Sequence, residues 1–306
     1  MSSRARVWMD GALVPADQAR VDVRSHAVQR GSTVFDVGSV NPTATGGVAL
    51  FRPNDHIARL LRSAAIVGLD VRWDSTALLE ATVETVRACA ASSALVRWSA
   101  FVPSLESDLV PNPRSRTSVA IAVITPEDIP ASDGPLGPAR VKVSREVRKA
   151  GPDVLPPHAK VAAAYLGPML AKRRARAEGY DEIVLLDAES RLAEAPTANV
   201  FLVKDGAIVT PPAERILPGI TRASVLEIAH ALGLPVREAH LAIEDLTRVD
   251  EAFFTATSLP LRPIASFDGA PARAAPGPVT AILGEALHAC RAGADPRFAH
   301  WLHPVR

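Results

Sequence analysis

The sequence predicts an α+β fold in two domains, and three observations predict it. Hairpin signals outnumber regular strand–helix–strand units, and strand and helix patterns are mixed in both halves. A Pro- and Gly-rich stretch without period, PEDIPASDGPLGP at 126–138, divides the chain near its middle. A length of 306 residues suits two moderate domains, each with its own core. The expected arrangement is a small α+β domain over 1–125, a linker over 126–140 and a large α+β domain over 141–306. A doubly wound parallel sheet is not expected.

In chain order, strands at 6–9 and 12–15 flank Asp10-Gly11, a hairpin turn signal. Asn54 and Asp55 start a helix whose apolar residues Ile57, Leu60, Leu61, Ala64 and Ala65 recur at helical spacing until Gly68 stops it. A second helix over 76–91 puts Leu78, Leu79, Val83, Val86 and Cys89 on one face. Strands follow at 94–102 and 118–125. After the linker come a strand at 141–147, the Pro-broken loop GPDVLPPHAK and an alanine-rich helix over 161–178. Strands at 182–187, 199–204 and 207–210 come next, the last two joined by Asp205-Gly206. A helix over 221–232 is closed by Gly233. Strands at 251–257 and 263–267 and a helix over 278–292 complete the chain.

Composition removes several classes of function. The formal net charge is +1 and no basic stretch is interleaved with aromatics, so neither nucleic acid nor an anionic membrane is expected as a partner. No apolar run is long enough to span a bilayer, and the opening MSSRARVWMDG lacks the apolar core of a signal peptide. Cys89 and Cys290 form no CxxC pair and read as small buried thiols in a reducing compartment, so a cytoplasmic location is expected. Eight histidines are scattered singly, which gives no support to a metal site. GxSxG, HExxH and P-loop patterns are absent.

Lysine occurs only at 142, 149, 160, 172 and 204, while arginine supplies the remaining positive charge. Lys160, in HAKVAAAYLGPMLA, is flanked by small apolar residues. Partial desolvation disfavours a charged amine, and a neutral amine attacks aldehydes. The ordinary alternative is a lysine at a helix start with its ammonium in solvent. Glu194 and Asn199 lie in LAEAPTANVFLVKDG, a short turn feeding an apolar strand, where a carboxylate can pair with a protonated ring nitrogen or simply be solvated. In ILPGITRASVLEIA, Gly219 allows close backbone approach, and Ile220 and Thr221 open a helix whose N-terminus attracts phosphate; Thr221 serves equally as an N-cap. FFTATSLPLRPI ends an apolar strand in the hydroxyls of Thr255, Thr257 and Ser258.

Each signal is weak alone, but their order and spacing resemble the fold-type-IV (class IV) pyridoxal-phosphate family, closest to branched-chain amino acid aminotransferases. The motifs are FRPNDHIARLLRSAAIVGL, AKVAAAYL, AEAPTANVFLVKDGAIVTPP, ILPGITR and FFTATSLPLRPI, with the tail PGPVTAILGEALHACRAG and WLHPV similar to the branched-chain subgroup. The resemblance implies the D-amino-acid-aminotransferase-like two-domain fold and pyridoxal 5'-phosphate as cofactor. Lys160 matches the Schiff-base lysine that moves the proton between Cα and C4′. Tyr165 matches the tyrosine on the cofactor's phenolic oxygen, Glu194 the carboxylate on its pyridine nitrogen and Leu217 the leucine under the ring. Arg59, Ile220, Thr221 and Thr257 match the phosphate ligands. Arg97 falls near the expected substrate carboxylate, and Phe35, Arg30, Ala256 and Ser258 are the other expected substrate-lining residues. Amino acid and keto acid substrates and a homodimer, with a site lined by the neighbouring subunit, are also implied.

The stretch RGSTVFDVGSV departs from the family pattern, with Arg30 where branched-chain enzymes usually carry an aromatic residue. An apolar pocket that gains Arg30 favours an acidic or polar substrate; alternatively Arg30 points away and supports the dimer. Alongside the branched-chain reading stand a D-amino-acid or (R)-amine transaminase, aminodeoxychorismate lyase, and a protein that uses the fold only for binding.

Overall fold

A computed structural model describes residues 5–129 and 136–305, and all but the side chain of Arg248 among them. Part of the expected linker, 130–135, lies outside the described residues. The chain forms two compact units. The first comprises Met1–Ala131, Ala159–Ala163 and Cys290–Arg306, the second Ser132–His158 and Ala164–Ala289. The first unit therefore takes in two short segments that lie, in sequence, within or beyond the second.

In the first unit the hairpin of β1 (Arg6–Met9) and β2 (Ala12–Pro15) turns through Asp10 and Gly11, at φ 55° and 104°. A short helix α1 (His26–Arg30) ends at Gly31, whose φ of 65° suits a left-handed cap. Then come β3 (Val34–Thr43), β4 (Gly47–Phe51), α2 (Pro53–Ile66), α3 (Ser75–Ala88), β5 (Ala94–Phe101) and β6 (Ser118–Ile124). Pro53 opens α2, where a missing N–H does no harm, and Asp74 caps α3 by accepting from the Ala77 N–H at 2.8 Å. Strand alternation decides which side chains meet the helices. Val34, Asp36, Gly38 and Val40 of β3, and Val96, Trp98 and Ala100 of β5, are buried. Gly38 has no alternative at its position, since a Cβ there would lie 2.6 Å from the Trp98 ring.

The second unit contains β7 (Ala139–Ser144), α4 (Leu166–Ala177), β8 (Glu182–Leu185), β9 (Asn199–Lys204), β10 (Ala207–Thr210), α5 (Ile220–Ala231), β11 (Val236–Glu238), β12 (Glu251–Thr255), β13 (Arg262–Phe267), β14 (Ala270–Pro271) and all but the last two residues of α6 (Pro278–Arg291). Its sheet runs β11-β10-β9-β12-β13-β7-β8, with β14 added to β13. The β10/β11, β13/β7 and β7/β8 pairs are parallel and the others antiparallel. Asn199 to Val203 are all buried, because β9 is covered on both faces. Val200 and Leu202 join Val141, Val143, Val184, Val209 and Phe254 in one core, while Phe201 stacks on Phe253 at 4.9 Å. The first turn of α6 is satisfied by Glu251, whose carboxylate accepts from the N–H groups of Val279 (3.0 Å) and Thr280 (2.7 Å).

The chain ends in the first unit with β15 (Leu302–Val305), completing an all-antiparallel sheet β15-β4-β3-β5-β6-β1-β2. Mixed helix and sheet, without a doubly wound parallel arrangement, agrees with the α+β expectation. One expected element differs. The helix predicted from Val161 begins at Leu166, after a 3-10 turn over Ala162–Tyr165, because the backbone around Val161 bonds instead to β3. The Ala162 N–H donates to Thr33 O at 2.8 Å, and Val34 and Val161 form a bridge.

Candidate active site

In the first unit, Lys160 is half-buried and its backbone is held from two sides. Its carbonyl accepts from the Phe35 N–H of β3 at 3.0 Å, and its N–H donates to Ser63 Oγ of α2 at 3.0 Å. The Lys160 Nζ lies 5.0 Å from the Phe35 ring centroid. The Arg97 guanidinium lies 5.4 Å from that centroid, so both basic side chains lie near Phe35, on the strand face opposite Asp36. Arg97 is exposed. Arg30, at the end of α1, is exposed as well.

Arg59 lies on α2 with only 4% of its surface exposed. Its Nε donates to Asp36 Oδ2 at 2.7 Å and its Nη2 to Oδ1 at 2.9 Å. His56, one turn earlier, places Nδ1 2.7 Å from the same Oδ1. Burial alone would raise the Asp36 carboxyl, but Arg59 and His56 outweigh it and hold it well below the usual carboxylate range. Ser63 Oγ donates to the Arg59 carbonyl at 2.8 Å while accepting from Lys160, so one serine ties both backbones together.

In the second unit, Glu194 is buried in the turn before β9. Lys149 Nζ lies 2.5 Å from its Oε1, and Asn199 Nδ2 donates to Oε2 at 3.1 Å. The Leu217 N–H lies 3.3 and 3.2 Å from the two oxygens. Asn199 also donates to Leu217 O at 3.0 Å, which joins the Glu194 turn to the loop before α5. Gly219 caps α5 without a side-chain acceptor, and Ile220 and Thr221 form its buried first turn. A Cβ on Gly219 would lie 1.9 Å from Asn199 Oδ1, so only glycine permits this approach. Ala256, Thr257 and Ser258 follow the end of β12. Tyr165 closes the 3-10 turn five residues after Lys160 and is half-buried.

In the first unit the structure thus brings Lys160 and Arg97 to Phe35 on one face of β3, and Arg59 to Asp36 on the other. It gathers Glu194, Leu217, Ile220 and Thr221 around Asn199 in the second. Asp36, His56, Ser63 and Lys149 are partners of these groups that no sequence motif marks. Helical spacing was the available signal for two of them, since His56 and Ser63 fall with Arg59 on one face of α2.

The family described as "Amino-transferase class IV" matches residues 33–267. The chain is 33% identical over 301 residues to a branched-chain-amino-acid aminotransferase of Salmonella typhimurium, covering 98% of this chain and 97% of that one. Among solved structures it is similar to a branched-chain aminotransferase of Thermoproteus uzoniensis with norvaline, at 35% identity and a TM-score of 0.91, covering 98% and 99% of the two chains. It is likewise similar to a branched-chain amino acid aminotransferase of Thermobaculum terrenum in its PLP-bound holo form, at 27% identity and a TM-score of 0.91, covering 100% of each. The chain belongs to the class IV aminotransferase family. It is a transaminase of the pyridoxal-phosphate-dependent type.

The residues present fit that cofactor. An uncapped helix N-terminus at Gly219 suits a phosphate, and Thr255 at the end of β12 has a buried hydroxyl without a hydrogen-bond partner among the described residues. In the second unit the Glu194 carboxylate, held by Lys149 and Asn199, is an acceptor of the kind a protonated ring nitrogen would need, and in the first unit Lys160 brings an amine beside the Phe35 ring.

Proposed function

We propose that this transaminase moves the amino group between a branched-chain L-amino acid and a 2-keto acid. The observation that carries the reading is Lys160, a half-buried amine fixed through both its backbone N–H and its carbonyl beside Phe35. Branched-chain aminotransferases similar over nearly the whole chain support the substrate class.

The bound cofactor supplies an electron sink for the pair of electrons left when the substrate Cα proton departs. Lys160 would hold it through its amine and would serve as the base that carries the proton between the substrate Cα and C4′. The Tyr165 hydroxyl would donate to the cofactor's phenolic oxygen, the Glu194 carboxylate would accept from its ring N–H, and Leu217 would lie against the ring. Arg59, the Ile220 backbone N–H, and the Thr221 and Thr257 hydroxyls would hold its phosphate. Arg97 takes the substrate carboxylate, with Phe35, Arg30, Ala256 and Ser258 around the side chain.

The working form is a homodimer in the cytoplasm. Apolar side chains exposed on the first unit support the dimer: Val23, Val28, Leu105, Leu109 and Val110. His26 brings two of these segments together through Nε2, 2.9 Å from Leu109 O. Two free thiols suit a reducing compartment, and no described helix is long and apolar enough to cross a membrane.

A donor and acceptor panel with chiral analysis of the products tests the assignment. L-leucine, L-isoleucine and L-valine with 2-oxoglutarate are the expected pairs, and turnover only of D-amino acids or amines refutes it. Pyruvate release without an acceptor would identify a lyase instead. Lys160→Ala is expected to abolish turnover with an unchanged circular dichroism spectrum, and retained turnover overturns the role of the amine.

A further inference from the structure

We propose that Asp36, braced by His56, is a positioning residue that sets the guanidinium plane of Arg59 for a phosphate dianion. This rests on the reading of Arg59 as a phosphate ligand.

Asp36 is fully buried, a location that penalises a carboxylate heavily unless it is paired. The pairing is side-on and bidentate, with Nε and Nη2 of Arg59 facing the two oxygens at 2.7 and 2.9 Å. A fork of this kind fixes both the position and the rotation of a planar cation, which a single contact cannot do. His56 supplies a third side-chain contact, beside the Val37 N–H, which donates to Oδ1 at 2.8 Å. The His56 Nδ1 donates to the ionised Oδ1 at 2.7 Å, a tautomer assigned from the acceptor it faces.

The brace continues away from the cation. The His56 ring stacks on Trp98 with centroids 5.9 Å apart and an interplanar angle of 18°. Trp98 Nε1 donates to Thr82 Oγ1 at 2.8 Å, and the indole has room only because residue 38 is glycine. A line of contacts from α3 through β5 and α2 thus ends on the carboxylate that grips Arg59.

Stability alone does not account for this set, because a well-packed apolar trio is usually as stable as a buried charged one. Position on β3 suggests the use. Phe35 fixes the Lys160 carbonyl and the next residue fixes the Arg59 head, while Ser63 joins the two backbones. The amine for the aldehyde and the cation for the phosphate are therefore referenced to one strand and one helix. Asp36 offsets the charge of Arg59 and adds no attraction for an anion. Its contribution is orientation.

The test compares pyridoxal 5'-phosphate with pyridoxal, which has the same aldehyde and no phosphate. Binding of each to the full-length protein is titrated from the absorbance of the lysine-bound form, in wild type, Asp36→Asn, Asp36→Glu and His56→Gln. Wild type is expected to prefer the phosphorylated compound. Asp36→Asn is expected to lower that preference about tenfold while pyridoxal affinity stays within about threefold, with most of the loss recovered in Asp36→Glu. Equal loss of both ligands, an unchanged preference or an increased one overturns the proposal. Should Asp36→Asn fail to fold by circular dichroism, His56→Gln keeps the ion pair and carries the same test, with a loss of preference of about threefold expected and an unchanged preference overturning it. A wild type that binds both compounds equally refutes the phosphate role of Arg59 itself, a different result from any shown by the variants alone.

Discussion

Acid should weaken the first unit through His56, by an amount that can be worked out. The ring is 1% exposed, and its pKa is pushed below the ordinary value of 6.5, chiefly by burial and further by Arg59, against the pull of Asp36 and Asp55. In the unfolded chain the imidazole titrates near 6.5, so on acidification the unfolded state takes up the proton first. His56 therefore adds most stability above pH 6.5, and that stability falls away as pH drops towards the lower folded value. If the folded ring stays neutral throughout, the loss between pH 7.5 and 5.0 is about 2 kcal/mol. Asp36 stays charged across this range, since Arg59 and His56 hold its carboxyl far lower. Trp8, Trp73, Trp98 and Trp301 are the only tryptophans and all belong to the first unit, so intrinsic fluorescence reports on it selectively. Urea unfolding of wild type and His56→Gln at both pH values isolates the effect, because groups common to the two proteins cancel. Wild type is expected to lose more stability than the variant on acidification, by up to about 2 kcal/mol. Equal losses, or a wild type that gains stability in acid, would refute the reasoning.

Three other outcomes are expected. Glu194→Gln keeps the shape but removes the charge facing Lys149, and should slow turnover by about tenfold or more with weaker cofactor retention; steady-state kinetics and dialysis measure both. Gly219→Ala drives a Cβ into Asn199 Oδ1, whose amide must then leave Glu194 and Leu217. It should cost about 2–3 kcal/mol, read from thermal melts of the cofactor-loaded protein. Burial pushes the Cys290 thiol up to about 12, so iodoacetamide at pH 8 should label Cys89 and spare Cys290 in native protein, with both labelled after denaturation; mass spectrometry distinguishes them.

The elements legible in the sequence are those specified locally. Asp10-Gly11 and Asp205-Gly206 take positive φ and turn two hairpins, and Gly68 and Gly233 do the same after α2 and α5. The helices α2, α3 and α5 carry their periodicity plainly. The sequence does not reveal β3, β4, β11, β14, β15 or the short helix α1, and two of these have a clear physical reason for being obscure. β3 carries a carboxylate and a glycine at core-facing positions, 36 and 38, where apolar residues would have revealed the alternation. β15 contains Pro304, which an edge strand tolerates but a pattern reading discounts. The propensity of VAAAY favours an earlier start for the helix after Lys160, but β3, a partner more than a hundred residues earlier, outcompetes it.

The candidate site shows the same division between local and distant causes. Lys160, Glu194 and Thr221 stand in recognisable motifs, whereas Asp36, His56, Ser63 and Lys149 gain meaning only from partners elsewhere in the chain. Even so, one signal is present in the sequence itself. His56, Arg59 and Ser63 recur at helical spacing on the face of α2 that also carries Ile57, Leu60 and Ala64, and all six are buried. Asp36 falls on the face of β3 shared by Val34 and Val40. A buried polar group needs a partner, and a buried charge needs an opposite one. Two inward-facing sets, one with a carboxylate and one with a guanidinium, an imidazole and a hydroxyl, therefore each satisfy the other's requirement. An ionisable residue that breaks an apolar stripe is in this way evidence of pairing as well as polarity, and on β3 and α2 the pairing leads to Arg59 and, through Ser63, to the backbone of Lys160.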